Sequence, residues 1–269
     1  MYSVLISVAV GLVVGFGLGL TDVLGYGWST FCGVLAFGVA QFVSGRILQK
    51  RVKAAMDFVQ AALVEGQKRM QVKAARWQMR PPGSIQAAQA EIARDQKMFV
   101  TEALARTEKL RQFIPWVPMM SRQIATAQFQ LHWMVKNFRK VDELMPKVLF
   151  FDPTMSAFRL ARMQMQGKSI EEIAKVYEKA VRRLRYNQNV LLAATYSWIL
   201  VQRKDFDGAF KALNRALEKS DNEMLKANRE HLANNRVAHF SNSALGEQWY
   251  ALYLEEPKIR QQRQRTHWR

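Results

Sequence analysis

Two long apolar runs open the chain. Val4 to Leu20 carries no charge over 17 residues, and Trp28 to Val43 forms a second run of similar length. Between them Thr21, Asp22, Gly25 and Gly27 supply turn chemistry. As a helix the first run rises about 25 Å at ~1.5 Å per residue, close to the ~30 Å hydrocarbon core of a bilayer. Neither run has the polar face that a surface-packed soluble helix pair needs. A secretory signal peptide starts with basic residues, and Met1-Tyr2-Ser3-Val4 offers none. The pattern predicts a hairpin of two transmembrane helices in residues 1–45, with Tyr26 and Trp28 in an interfacial aromatic belt. Gly11, Gly15 and Gly19 share one face of the first helix, and such a stripe lets two backbones approach closely in lipid. Two partners fit it: the second helix, through Gly33 or Ala36, or the same helix of another copy.

The pattern changes at Arg46. Over residues 46–79 there is no proline and one glycine, Gly66, and Ile47, Val52, Met56, Val59, Leu63 and Met70 recur at helical intervals among cations. This predicts one amphipathic helix continuing out of the membrane. Pro81-Pro82-Gly83 breaks it, Ser84 caps the next helix, and that helix runs to about Phe113, where Pro115-Trp116-Val117-Pro118 interrupts. Two long helices joined by a tight turn predict an antiparallel stalk over residues 46–118. From Ser121 onward the expectation is a succession of helices of 12–18 residues. Asp152-Pro153 starts one with a capping acid, and Ser169-Ile170-Glu171-Glu172 has the form of a capping box. No strand-like alternation appears, so the fold class is all-α.

Charge adds topology. The net charge is +18, yet residues 1–45 hold no Lys or Arg and a single acid, Asp22. All 40 basic residues follow, against 21 acids. Arg46, Lys50, Arg51 and Lys53 come directly after the second apolar run. By the positive-inside rule they place the body in the cytoplasm, at the inner or cell membrane if the source is bacterial, and they suit anionic lipid headgroups. The tail 257–269 is basic, with Lys258, Arg260, Arg263, Arg265 and Arg269 and no acid. Trp268 alone is thin support for nucleic-acid binding, which needs interleaved aromatics. The one cysteine, Cys32, excludes an intrachain disulfide.

The body repeats itself. Lys204 to Leu217 aligns with Lys168 to Val181 at an offset of 36 residues, setting Phe206 on Ile170, Ala209 on Ile173, Leu213 on Tyr177 and Ala216 on Ala180. A weaker third copy runs from Lys140-Val141 through Leu144 and Val148 to Asp152-Pro153. The run Asp205-Phe206, Ala209, Leu213, Ala216 resembles the second half of a tetratricopeptide repeat (TPR). Asn189–Gln202 stands as its first helix, with Ala193, Tyr196 and Ser197 in the packing slots. The usual Trp, Leu and Gly are absent there, and Asp221 replaces the usual Pro. Over residues 119–256 the resemblance implies a TPR-like α-solenoid with a concave groove for a protein partner. By the same resemblance Asn189, Lys226, Arg229 and Asn234 are candidate groove residues.

Catalytic chemistry is not legible. His132, His231, His239 and His267 have no metal-ligand spacing, and no phosphate-cradling loop appears in the body. Asp142-Glu143 and Glu171-Glu172 read as solvated or capping acids. The sequence therefore predicts no enzyme, metal or cofactor. It predicts a membrane-anchored, cytoplasm-facing adaptor that binds a protein partner and anionic lipid. The alternative is a subunit of an oligomeric membrane complex or pore, assembled through the glycine stripe.

Overall fold

The computed structural model of the protein describes residues 2–20, 25–79 and 83–257. Among these every regular element is helical. Thr21, Asp22, Pro81, Pro82 and the tail from Lys258 lie outside the described residues. By its contacts the chain divides into two compact units, Met1–Val148 and Leu149–Arg269.

The first unit is built on two apolar-led helices, α1 (Tyr2–Leu20) and α2 (Tyr26–Met79), each long and apolar enough to cross a membrane. The pair is inside out relative to a soluble core. The residues that α1 buries are Ser3, Ser7 and Gly11. Phe16, Leu20, Trp28 and Val34 point outward, and Leu20 is 85% exposed. Two of the hydroxyls bond within their own helices: Ser7 Oγ donates to the Ser3 carbonyl at 2.9 Å, and Thr30 Oγ1 to the Tyr26 carbonyl at 2.9 Å. Such bonds satisfy polar atoms without water.

The glycine stripe meets α2. A Cβ at Gly33 would lie 2.8 Å from the Gly11 carbonyl oxygen and 3.1 Å from the Gly15 Cα, whereas Gly19 finds Ser29 Cβ only at 4.0 Å. Gly11 and Gly15 thus pack on Gly33, and Phe37 rather than Ala36 completes the contact at Gly11. Rising numbers on α1 oppose falling numbers on α2, so the helices run antiparallel.

α2 does not stop at the apolar boundary. It continues unbroken for 54 residues, about 80 Å at ~1.5 Å per residue. α3 (Ile85–Thr107) returns along it, with the Ser84 side chain accepting from the Ala87 N–H at its start. A 3-10 segment, Glu108–Phe113, extends α3 to the expected end. Lys73 bridges to Glu91 at 2.7 Å and to Asp95. The Asp95 carboxylate, followed by Glu91, holds the Lys73 ammonium above its ordinary pKa. Gly66 is needed for close approach, because a Cβ there would overlap the Phe99 ring.

α4 (Met120–Met134) completes this core: Val59, Ala62, Phe99, Val100, Ala103, Leu110, Met120, Ile124 and Leu131 form one buried cluster. Met120, Ile124 and Leu131 of α4 thus share a core with the α2–α3 pair. α5 (Phe138–Leu144) has only 7 residues, shorter than expected, and passes into a 3-10 turn, Met145–Lys147.

The second unit consists of shorter helices: α6 (Pro153–Met165), α7 (Ile170–Val181), α8 (Val190–Gln202), α9 (Phe206–Leu217), α10 (Glu223–Ala233) and α11 (Glu247–Tyr250). Their N-caps follow the sequence. Asp152 accepts from Thr154 N–H with Pro153 in the first turn, Ser169 from Glu172 N–H, and Asp205 from Gly208 N–H. Ile173, Tyr177, Ala209, Leu213 and Ala216 of the aligned segments are buried, while Ala180 is half-buried, with Val181 buried beside it.

The Gly11–Gly33 crossing generates a stability prediction. Gly33→Leu should lower the unfolding temperature of the detergent-solubilised chain, because overpacking costs on the order of 1–3 kcal/mol. Gly17→Leu should not, since a Cβ at Gly17 meets nothing within 4 Å. Tryptophan fluorescence during a thermal ramp makes the comparison.

Candidate functional site

Two features stand out: a basic collar on α2 and the surface of the helix pairs in the second unit. The collar follows from the unbroken helix, which carries Arg46, Lys50, Arg51 and Lys53 directly past the apolar segment. All four are exposed. The Arg46 guanidinium lies over the Phe42 ring, 5.1 Å from its centroid, in a cation–π contact.

In the second unit the helix pairs share one turn design. The α6–α7 link has Gly167 at φ 68°, and the α8–α9 link has Lys204 at φ 64°. In each, that residue donates its N–H to the carbonyl three back and its successor donates to the carbonyl five back: Gly167 to Gln164 and Lys168 to Met163, Lys204 to Val201 and Asp205 to Leu200. These paired bonds are a Schellman turn, which closes one helix as the next is capped. The turn recurs after α10 at Asn235 (φ 55°) and, within the first unit, after α4 at Lys136 (φ 54°).

Contacts also recur at the repeat distance. Arg203 donates to the Lys168 carbonyl at 2.5 Å, 35 residues away, and to Gln164 Oε1 at 2.8 Å. Arg215 pairs with Glu178 at 2.6 Å across 37 residues, and Asp221 N–H donates to Asn187 Oδ1 across 34. Tyr177 stacks on Tyr196 with ring centroids 4.0 Å apart, and burial pushes the Tyr177 hydroxyl pKa up.

The candidate groove residues fare differently. Asn189 is 2% exposed, and its Nδ2 donates to the Ala216 carbonyl at 3.0 Å, so it is a structural amide rather than an accessible one. Lys226 is held by Asp221 at 2.5 Å and Glu223 at 2.8 Å. The Asp221 bond is the main reason its ammonium pKa is raised. Arg229 is half-buried. Asn234 is exposed at the end of α10, where its Nδ2 donates to the Glu230 carbonyl at 2.9 Å.

A segment the sequence did not mark covers α8. Asn242 is fully buried and donates to the Ala194 carbonyl at 2.9 Å and also accepts from Asn228 Nδ2 at 2.9 Å. Trp198 of α8 and Trp249 of α11 meet edge to face at 5.9 Å. Both indole N–H groups donate to the two oxygens of Glu255, each at 2.7 Å. Within α8 only Gln202 is exposed.

The exposed chemistry of this unit lies elsewhere. Phe151 is 63% exposed and Tyr186 62%. Arg183 sits 5.8 Å from the centroid of the Phe151 ring. Arg159 lies 4.9 Å from the Phe150 centroid, and burial lowers its pKa. Neither Phe151 nor Arg183 was singled out from sequence.

Among the described residues no group of three or more His, Cys, Asp or Glu side chains could hold a metal. His231 and His239 do come together across the turn at Asn235, with ring centroids 5.5 Å apart. Comparison of the chain with protein-family models, curated proteins and solved structures gives no match.

Two predictions follow from these geometries. Glu255→Ala strips two indole N–H groups of their acceptor and should destabilise the second unit by about 1–3 kcal/mol, read as a lower thermal midpoint. Burial, reinforced by Lys140, lowers the His132 pKa below its ordinary value. Its stabilising effect is therefore present above the unfolded pKa of about 6.5 and is lost as pH falls below that value, where the unfolded chain takes up the proton first. The thermal midpoint of the wild-type chain should fall more steeply between pH 7 and 5 than that of His132→Gln.

Proposed function

We propose that the protein is a membrane-anchored, cytoplasm-facing adaptor that holds a protein partner on a short TPR-like α-solenoid. What carries the reading is one combination. An inside-out helix pair, with serines and glycines within and Phe16, Leu20 and Val34 without, stands on the same chain as helix pairs tied to each other at intervals of 34 to 39 residues. The first half of that combination fits a transmembrane hairpin, in which small residues pack and large apolar ones face lipid. The second half fits a repeat stack, whose members contact their neighbours in register. The collar of Arg46, Lys50, Arg51 and Lys53 orients the hairpin with the body in the cytoplasm.

The groove expectation changes in one respect. The chain's own segment from Phe240 to Glu255 lies on α8 and closes the stack, as a capping element does in repeat proteins. The partner surface we assign is therefore the exposed Phe151–Arg183 pair with Tyr186 nearby in sequence. An aromatic ring beside a guanidinium suits an acidic or aromatic segment of a partner protein. The oligomeric-pore reading loses support, because Gly11 and Gly15 are already taken up by Gly33.

The test is a pull-down with the full chain in mild detergent from nuclease-treated lysate at moderate salt. The wild-type chain should retain one or a few proteins. Phe151→Ala combined with Arg183→Glu should lose them at least tenfold, and Gly17→Leu should keep them. Retention unchanged by the double substitution rejects this surface. The absence of any salt-stable protein rejects the adaptor.

A further inference from the structure

The loop after α3 was read from sequence only as a helix breaker. In the structure it meets the start of α1. The Tyr2 backbone N–H donates to the Pro115 carbonyl at 3.0 Å, and Ser3 Oγ donates to the Trp116 carbonyl at 3.1 Å. The Tyr2 and Trp116 rings meet edge to face at 5.5 Å. Beside them Ile114 is 41% exposed, Trp116 36% and Met119 49%. Met119 adopts φ 63°, a conformation non-glycine residues rarely take, as the chain turns into α4.

Two independent registers give this patch its height along α2. On α1, Gly11 faces Gly33 and Phe37. Counting back along the antiparallel helix sets Tyr2 level with roughly Phe42 to Arg46, since both helices rise ~1.5 Å per residue. On α3, Phe99 packs at Gly66 and Arg106 Nη1 donates to the Phe58 carbonyl at 2.9 Å. Continuing toward Phe113 arrives at the level of Val52, and Phe113, Val117, Val52 and Ala55 all pack against the same core cluster. Both registers end where α2 passes from its apolar run to its basic collar. Lys109, Arg111 and Arg122 flank the loop and are exposed.

We propose that residues 114–119, with Tyr2, are a third membrane contact. Tyr2, Ile114, Trp116 and Met119 rest in the headgroup and carbonyl layer of an anionic bilayer, on the face that bears the collar. Aromatic rings favour that layer, and the surrounding cations face lipid phosphates there. The contact rests on the reading of α1 and α2 as membrane-spanning. It pins the return end of the α2–α3 pair to the membrane surface, so that the core of the first unit stands at a fixed height above the lipid.

The test uses the full chain with Cys32→Ala, reconstituted in vesicles of phosphatidylcholine and phosphatidylglycerol. An environment-sensitive fluorophore is placed in turn through Ile114→Cys, Met119→Cys, Val34→Cys and Met98→Cys. Lipids with spin labels near the headgroup or near the chain end report depth by quenching. Labels at 114 and 119 should be quenched at least twofold more by the shallow quencher than by the deep one. The label at 34 should favour the deep quencher, and the label at 98 should respond to neither. If 114 and 119 behave like 98 while 34 remains deep, the loop is not a membrane contact, though the spanning helices stand. If 34 also responds to neither, the spanning reading fails and takes this proposal with it.

Discussion

The hydrogen-bond ladder of α2 runs from Tyr26 to Met79 without a proline, and this continuity constrains the whole first unit. A continuous helix fixes both height and rotation, at ~1.5 Å and ~100° per residue. An apolar segment and a water-facing segment on one rod therefore cannot slide or turn relative to each other. α1 docks on the apolar part by letting Gly11 and Gly15 touch Gly33. α3 and α4 dock on the polar part, around Val59, Ala62 and Gly66. The two attachments use the same device at different places: a glycine where a neighbour must come close, with larger groups on either side. The loop at Pro115 and Trp116 links them, because the end of one attachment hydrogen-bonds to the beginning of the other.

The second unit solves a different problem. Helices of 11 to 13 residues are marginal alone and acquire stability by packing on neighbours. Among the described residues four helices close with the same Schellman turn, and three of the four left-handed positions are Lys136, Lys204 and Asn235 rather than glycine. A lysine in that conformation costs about 1 kcal/mol relative to glycine. The recurring pair of backbone bonds and the cap that follows offset the cost. Helix α8 is so apolar that it must be covered on all sides. α6, α7 and α9 contact it, and the segment carrying Asn242, Trp249 and Glu255 covers what is left. After α10 the chain forms a 3-10 turn, Val237–His239.

Signals confined to a few consecutive residues were legible in the sequence. The apolar runs and the caps at Ser84, Asp152 and Ser169 all belong to this kind. Contacts between distant residues were not. Gly66 looks like an ordinary helix glycine until Phe99 is placed against it. Asn189 looks like a polar residue at a helix start, and only the position of Ala216, 27 residues on, makes it internal. Glu255 carries no local sign that two tryptophans share it. The surroundings of the groove candidates belong to the same kind: Asn189 donates to the Ala216 carbonyl, Lys226 pairs with Asp221 and Glu223, and Asn234 donates to the Glu230 carbonyl.

The distribution of charge bears on what the second unit binds. Residues 46–148 hold 19 basic residues against 8 acids, whereas residues 149–257 hold 16 against 13. The large positive charge of the protein therefore belongs mainly to the segment that follows the apolar hairpin, with a further contribution from the tail. Several cations of the second unit are also neutralised locally, Lys226 by Asp221 and Glu223, and Arg215 by Glu178. A surface built to hold a long polyanion keeps its cations available along a track, since affinity for nucleic acid comes from releasing counterions at many phosphates. A surface with near-balanced charge and one exposed ring beside one guanidinium suits a short protein segment instead. On the reading proposed above, the basic collar would face the membrane and the second unit would keep a modest, local site for a partner.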